Sequence, residues 1–165
     1  MKKFIYHLLV LSVLAFAHIS HAEVLHGLVV AVADGDTITV LDESKQQHKI
    51  RLMGIDAPEK KQAYGQRSKE SLSELVYMKD VEVTWTKRDR YGRTVGQVTV
   101  DGNDMCLEQI KRGMAWHYKQ YQREQAESDR SLYSESESTA RDLKIGLWHG
   151  VAPIEPSTFR KNEKQ

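Results

Sequence analysis

Three observations predict an α+β fold. Five short runs are rich in valine, isoleucine and threonine, one amphipathic stretch separates the third from the fourth, and two helix-like segments follow the fifth. Together they predict a small closed five-stranded β-barrel of the Greek-key, OB type, with helices packed against it. The strand runs are VLHGLVVAV (24–32), DTITVL (36–41), HKIRLMG (48–54), VEVTWT (81–86) and TVGQVTV (94–100), each bounded by turn residues. QRSKESLSELVYM (66–78) carries Leu72, Leu75 and Val76 at i, i+3 and i+4, a single apolar stripe. NDMCLEQIKR (103–112) offers Asn103 as a cap and Gly113 as a stop. Leu132, Ser136, Ala140 and Leu143 keep helical spacing before Gly146 closes that segment.

The chain ends differ in character from the barrel. Residues 1–22 have a positive start at Lys2 and Lys3, then an apolar run from Phe4 to Ala17, then a small-x-small ending at Ser20-His21-Ala22. A run of about 14 residues is short of the ~20 that a spanning helix needs, so a cleaved secretory leader is expected. No cysteine follows it, which argues against a lipid anchor. The expected mature chain, from Glu23, is one domain to residue 150, off the membrane, monomeric and secreted or periplasmic. Two proline-marked turns in PIEPSTFRKNEKQ (153–165) predict a loose tail over 151–165. Cys106 stands alone, so no internal disulfide braces the core; burial in a helix is expected. Nearly balanced charge excludes global attraction to polyanions, yet residues 59–93 hold nine Lys/Arg against six acids.

Three segments carry chemistry. ADGDT (33–37) sets Asp34 and Asp36 one residue apart. Asp-Gly is a hairpin signal, because glycine accepts positive φ and aspartate bonds its own backbone. A hard cation would also explain paired carboxylates. IRLMGIDAPE (50–59) puts Arg51 in a strand, Asp56 at its end, and Glu59 just past the stiff Pro58. RDRYGRT (88–94) supplies Arg93, whose planar fork suits phosphate oxygens. Taken singly, each segment is an ordinary turn. Taken jointly, two aspartates, a glutamate and two arginines at a barrel mouth resemble a metal-assisted phosphodiester site. Oxygen donors without Cys or His point to calcium or magnesium rather than zinc. An EF-hand does not fit, since Ile38 and Lys45 would fall at its fifth and twelfth positions. Neither a G-x-S-x-G elbow nor an H-E-x-x-H motif is present.

In this order, and with RGMAWHY (112–118) and IGLWHG (145–150), the segments resemble the staphylococcal nuclease family from about Val24 to Trp148. The resemblance implies an OB barrel with three helices. It further implies calcium-dependent hydrolysis of DNA and RNA, single strands favoured, with breakage of the 5′ P–O bond to leave 3′-phosphate ends. Carried onto this chain, Asp36, Asp56 and the Ala57 carbonyl are calcium ligands, and Glu59 is the base or organiser of the attacking water. Arg51 and Arg93 lie on the phosphate, Tyr91 beside it, and Tyr118 and Tyr121 beside a nucleotide. Two departures stand out. Ala57 replaces a threonine of the best-known member, a change that a carbonyl ligand survives. The loop after Glu59 is shorter, with only KKQA before Tyr64. The competing expectation is a non-catalytic OB-type module that binds single-stranded nucleic acid through Trp85, Trp116, Tyr118 or Tyr121. Glu59 discriminates between the two, because a pure binder has no use for a carboxylate beside phosphate.

Overall fold

The computed structural model describes residues 22–164. The leader expected over 1–22 therefore lies, apart from Ala22, outside the described residues. Five strands close a barrel: β1 (Glu23–Asp34), β2 (Thr37–Leu41), β3 (Gln47–Leu52), β5 (Asp80–Arg88) and β6 (Thr94–Val100). β1 is long enough to serve two partners. Glu23–Leu28 pair with β5 and Leu28–Asp34 with β2, both antiparallel, with register shifts that bend the strand between Val29 and Asp34. A parallel pairing of β3 with β6, Arg51 opposite Val95, completes the ring and leaves neither strand with a free edge.

Alternation fills the interior. Along β6, Thr94, Gly96, Val98 and Val100 face in while their neighbours are half-exposed. Val29, Ile38, Val40, Ile50, Val83 and Val98 are wholly buried. Helix α1 (Gly65–Val76) lies on this core through Leu72, Leu75 and Val76, the stripe read from its sequence. α2 (Met105–Lys111) follows the short strand β7 (Asn103–Asp104) and buries Cys106 completely. Its cap is Asp104 and not Asn103: Asp104 Oδ1 accepts the N–H groups of Cys106 (2.8 Å) and Leu107 (3.1 Å). Asn103 is taken up instead by pairing with Val100.

Two further expectations are corrected. α3 (Glu127–Asp142) turns Tyr133, Glu137 and Ala140 inward and leaves Leu132 and Leu143 exposed. Burial of Glu137 is tolerated because Lys119 and Arg141 pair with it and it accepts the His117 N–H (3.2 Å). The tail is not loose. It forms a fourth helix, α4 (Pro156–Asn162), with proline at the start where the absent N–H costs nothing. The tail is tied back by the Gln62 side-chain N–H, which donates to the Ile154 carbonyl at 2.6 Å. Outside the barrel, β4 (Ile55–Asp56) pairs with β8 (Trp116–His117), and this small ribbon sets Asp56 opposite Trp116. Trp116 and Trp148 are buried edge to face, 4.4 Å between centroids, whereas Trp85 is half-buried.

Candidate active site

Asp36 occupies the two-residue turn between β1 and β2, and the turn is shaped by its neighbours. Asp34 Oδ1 accepts the Asp36 N–H (3.2 Å), so Asp34 works on the backbone. Gly35 is not in the left-handed region; it is needed for space. A Cβ there would lie 1.9 Å from Ser68 Oγ and 2.7 Å from the Ala57 Cβ. The Gly35 carbonyl, in turn, accepts from Gln109 Nε2 (2.9 Å), and the same amide donates to the Ser68 carbonyl (3.1 Å). A wholly buried Gln109 on α2 thus clamps the Asp36 turn to α1.

Arg51 gathers the carboxylates. Strand register sets it opposite Thr37, next to Asp36. Its Nη2 lies 3.0 Å from Asp36 Oδ2 and 3.1 Å from Asp56 Oδ1. Its Nη1 donates to the carbonyls of Leu52 (3.0 Å) and Ile55 (2.9 Å). Most of that fork is spent inside the protein, so Arg51 acts first as a buried counter-charge between two aspartates. Asp36 Oδ2 also accepts the Ala57 N–H (2.8 Å), and Thr37 donates to its Oδ1 (3.1 Å).

Glu59 follows on a loop folded tightly by its own backbone. The Gln62 N–H donates to the Glu59 carbonyl (2.8 Å), and Gln62 Oε1 accepts the Glu59 N–H (3.1 Å). Gly65 lets this loop meet α1, since a Cβ would fall 2.0 Å from the Glu59 carbonyl oxygen. Glu59 Oε1 receives Arg160 Nη1 at 2.7 Å. Arg160, on α4, also forks onto both oxygens of Asp56, at 3.1 and 2.9 Å.

Arg93 stands across the cleft on the β5–β6 hairpin, its Nε donating to Asp89 Oδ2 (2.7 Å). Tyr91 is largely exposed at the rim, with the Arg90 and Arg93 guanidinium groups over its ring. Tyr118 and Tyr121 meet edge to face, 4.9 Å apart. Asp36, Arg51, Ala57, Glu59, Tyr91, Arg93, Tyr118 and Tyr121 all line one open cleft of about 740 Å³. Asp56 lines a smaller hollow beside it, between β8 and the start of α4. The volume of the larger cleft lies within the range of small-ligand pockets.

Two members of this neighbourhood, Gln109 and Arg160, lie outside the three motif segments. Gln109 leaves no local signal, because its partners lie 38, 41 and 74 residues away. Arg160 had one: Pro156 at a first helical position, with Arg160 and Lys161 in the last turn, is the pattern of a short helix.

The electrostatics follow from burial. Loss of water pushes the Asp36 carboxyl up to about 7; Arg51 and the Ala57 N–H oppose this, and the charges of Asp34 and Asp56 add to it. Asp56 is pushed up by the same cause, against the hydrogen bonds and charge of Arg160 and the charge of Arg51. Unfolded, Asp36 ionises near 3.8. On that shift, between about 4 and about 7 the folded protein would hold a proton that the unfolded chain has released. This contribution favours folding at low pH and is lost as pH rises through about 7. In chelator, Asp36→Asn should gain stability on the wild type by up to about 1.4 kcal/mol per pH unit across that window. Urea unfolding of both proteins at several pH values checks it; a pH-independent difference would show that Asp36 is ionised throughout.

The family described as Staphylococcal nuclease homologue matches residues 49–150. The chain belongs to that family. The protein is a phosphodiester-hydrolysing nuclease, with the OB-type barrel described above. A Haemophilus influenzae protein named an uncharacterized endonuclease is 46% identical over 136 residues, 82% of this chain and 73% of the relative. An Escherichia coli O157:H7 protein of the same name is 43% identical over 137 residues, 82% and 85% of the two chains. A micrococcal nuclease of Shigella flexneri is 39% identical over 147 residues, 84% and 82%. The family match begins at residue 49, after the Asp36 turn; in the nuclease, strand pairing brings that turn back onto the matched segment.

Proposed function

We propose that this nuclease is an exported, calcium-dependent, monomeric endonuclease that cleaves DNA and RNA, single strands favoured, and leaves 3′-phosphate ends. The observation that carries the reading is the convergence of Asp36, Asp56 and Glu59 on arginine charge at the edge of a cleft lined by Arg93, Tyr118 and Tyr121. The donor set fits a hard cation. It offers oxygen alone, and its carboxylates already bind positive charge, the Arg160 guanidinium included. Among the described residues no three acidic, His or Cys side chains form a finished metal cage. A loose shell completed by carbonyl and water suits calcium, which accepts six to eight oxygens, better than magnesium with its strict octahedron.

Asp36, Asp56 and the Ala57 carbonyl would hold the ion, and bound there it would supply positive charge against the phosphate oxygens. The protein's own groups do the rest. Arg51 keeps the two aspartates facing each other. Glu59 takes a proton from the attacking water. Arg93, with Tyr91 beside it, holds the equatorial phosphate oxygens. Tyr118 and Tyr121 offer ring faces to the bases. Trp116 is buried and can offer none.

The test is single-stranded DNA and RNA digested in calcium, in magnesium and in chelator, using protein recovered by export from a bacterial host. Turnover should be highest in calcium and abolished by chelator, with 3′-phosphate ends on the products. Equal or greater activity in magnesium would overturn the calcium reading. The intact mass of the same material, if it does not begin at Glu23, would overturn the export reading.

A further inference from the structure

α4 is a short helix held by few but strong polar contacts. Seven residues are too few for helicity to persist unaided. Within it only Pro156 is buried. Its strongest bonds to the rest of the protein are those of Arg160, whose Nη1 reaches Asp56 Oδ1 (3.1 Å) and Glu59 Oε1 (2.7 Å) and whose Nη2 reaches Asp56 Oδ2 (2.9 Å). The helix is docked by charge, and that charge sits on the carboxylates of the site.

We propose that α4 is a latch on the active site, closed by the Arg160 guanidinium and opened by the divalent cation that displaces it from Asp56 and Glu59. This inference rests on the cation reading above. A planar fork laid along a carboxylate covers the oxygens that a metal would use. Asp56 Oδ1 already accepts from both Arg51 and Arg160, and Oδ2 accepts from Arg160. Calcium needs such an oxygen at about 2.3–2.6 Å, which would place it against a guanidinium of like charge in a site poor in water. One cation has to leave. Arg51 cannot, since it lies in a barrel strand, is tied to two carbonyls and has a side chain only 13% exposed. Arg160 can: its side chain is 35% exposed, on a seven-residue helix that buries only Pro156.

Competition for the same oxygens makes the coupling reciprocal. Whatever factor Arg160 costs the cation in affinity, the cation costs α4 in docking. Calorimetric titration of calcium into the wild type and Arg160→Gln should show the variant binding about tenfold more tightly, within the 5–150-fold span usual for coupled sites. Hydrogen exchange on the wild type, with and without saturating calcium, should show faster exchange in Pro156–Asn162 when calcium is bound. Equal or weaker calcium binding by Arg160→Gln would overturn the latch and leave Arg160 as a positioning residue for Asp56, with the cation reading intact. Absence of calcium binding in both proteins would overturn the cation reading and the latch with it. If Arg160→Gln does not fold, the wild-type exchange decides: unchanged or slower exchange in α4 overturns the proposal.

Discussion

Replacing Glu59 with glutamine is expected to lower turnover by roughly 10²–10⁴-fold while single-stranded oligonucleotide binding survives. Glutamine keeps the size of the side chain and can still accept a hydrogen bond from Arg160, but it cannot take a proton from water. The proposed base role has this geometry behind it. Its carboxylate is partly open to the cleft, and its backbone is held by Gln62 and by the close approach of Gly65. The substitution also removes one of the charges that Arg160 binds, so the two effects have to be separated. The rate constant at saturating calcium and substrate reports the proton transfer, whereas the calcium dependence of KM reports the altered charge balance. Near-full turnover would remove Glu59 as a base.

Arg93→Lys is expected to cost roughly 10²–10³-fold in rate. As the phosphorus gains a fifth oxygen, negative charge builds on the equatorial oxygens, and a guanidinium can meet two of them with parallel hydrogen bonds where an ammonium is a point charge. The structure makes this a clean comparison. Asp89 takes the Arg93 Nε and anchors the base of the fork, and lysine could keep that ion pair. If Arg93 served only the pair with Asp89, exposed enough to be screened, the effect would be within about 0–1 kcal/mol. Steady-state kinetics with circular dichroism decides between the two. A folded variant slowed less than about fivefold, under 1 kcal/mol, would take Arg93 out of the chemistry.

Legibility in the sequence follows the range of the interaction. The barrel strands could be read because the side-chain period of a strand is two and the interior of a small barrel is apolar, so β6 and β2 carry their own instructions. The stripe on α1 was legible for the matching reason at the helical period. α3 misled because its inward face holds Glu137, a residue that burial forbids unless cations arrive to meet it. One of them, Lys119, belongs to another segment, where no periodicity within α3 can register it.

The site divides in the same way. From its amino acids alone this protein declared an α+β barrel with carboxylates at strand ends, a short rigid turn before Glu59, and arginines with forks suited to phosphate. Those are local properties of residue type and spacing. Tertiary structure decided what the charges do. Closure of the barrel put Arg51 between Asp36 and Asp56, and Gln109 locked the turn that carries Asp36. The return of the C-terminal helix set Arg160 on Asp56 and Glu59, 104 and 101 residues away in the chain. Pairing at such separations depends on where the folded backbone passes, because an ion pair is fixed by distance in space and by the water excluded around it. Neither is written in the order of the residues.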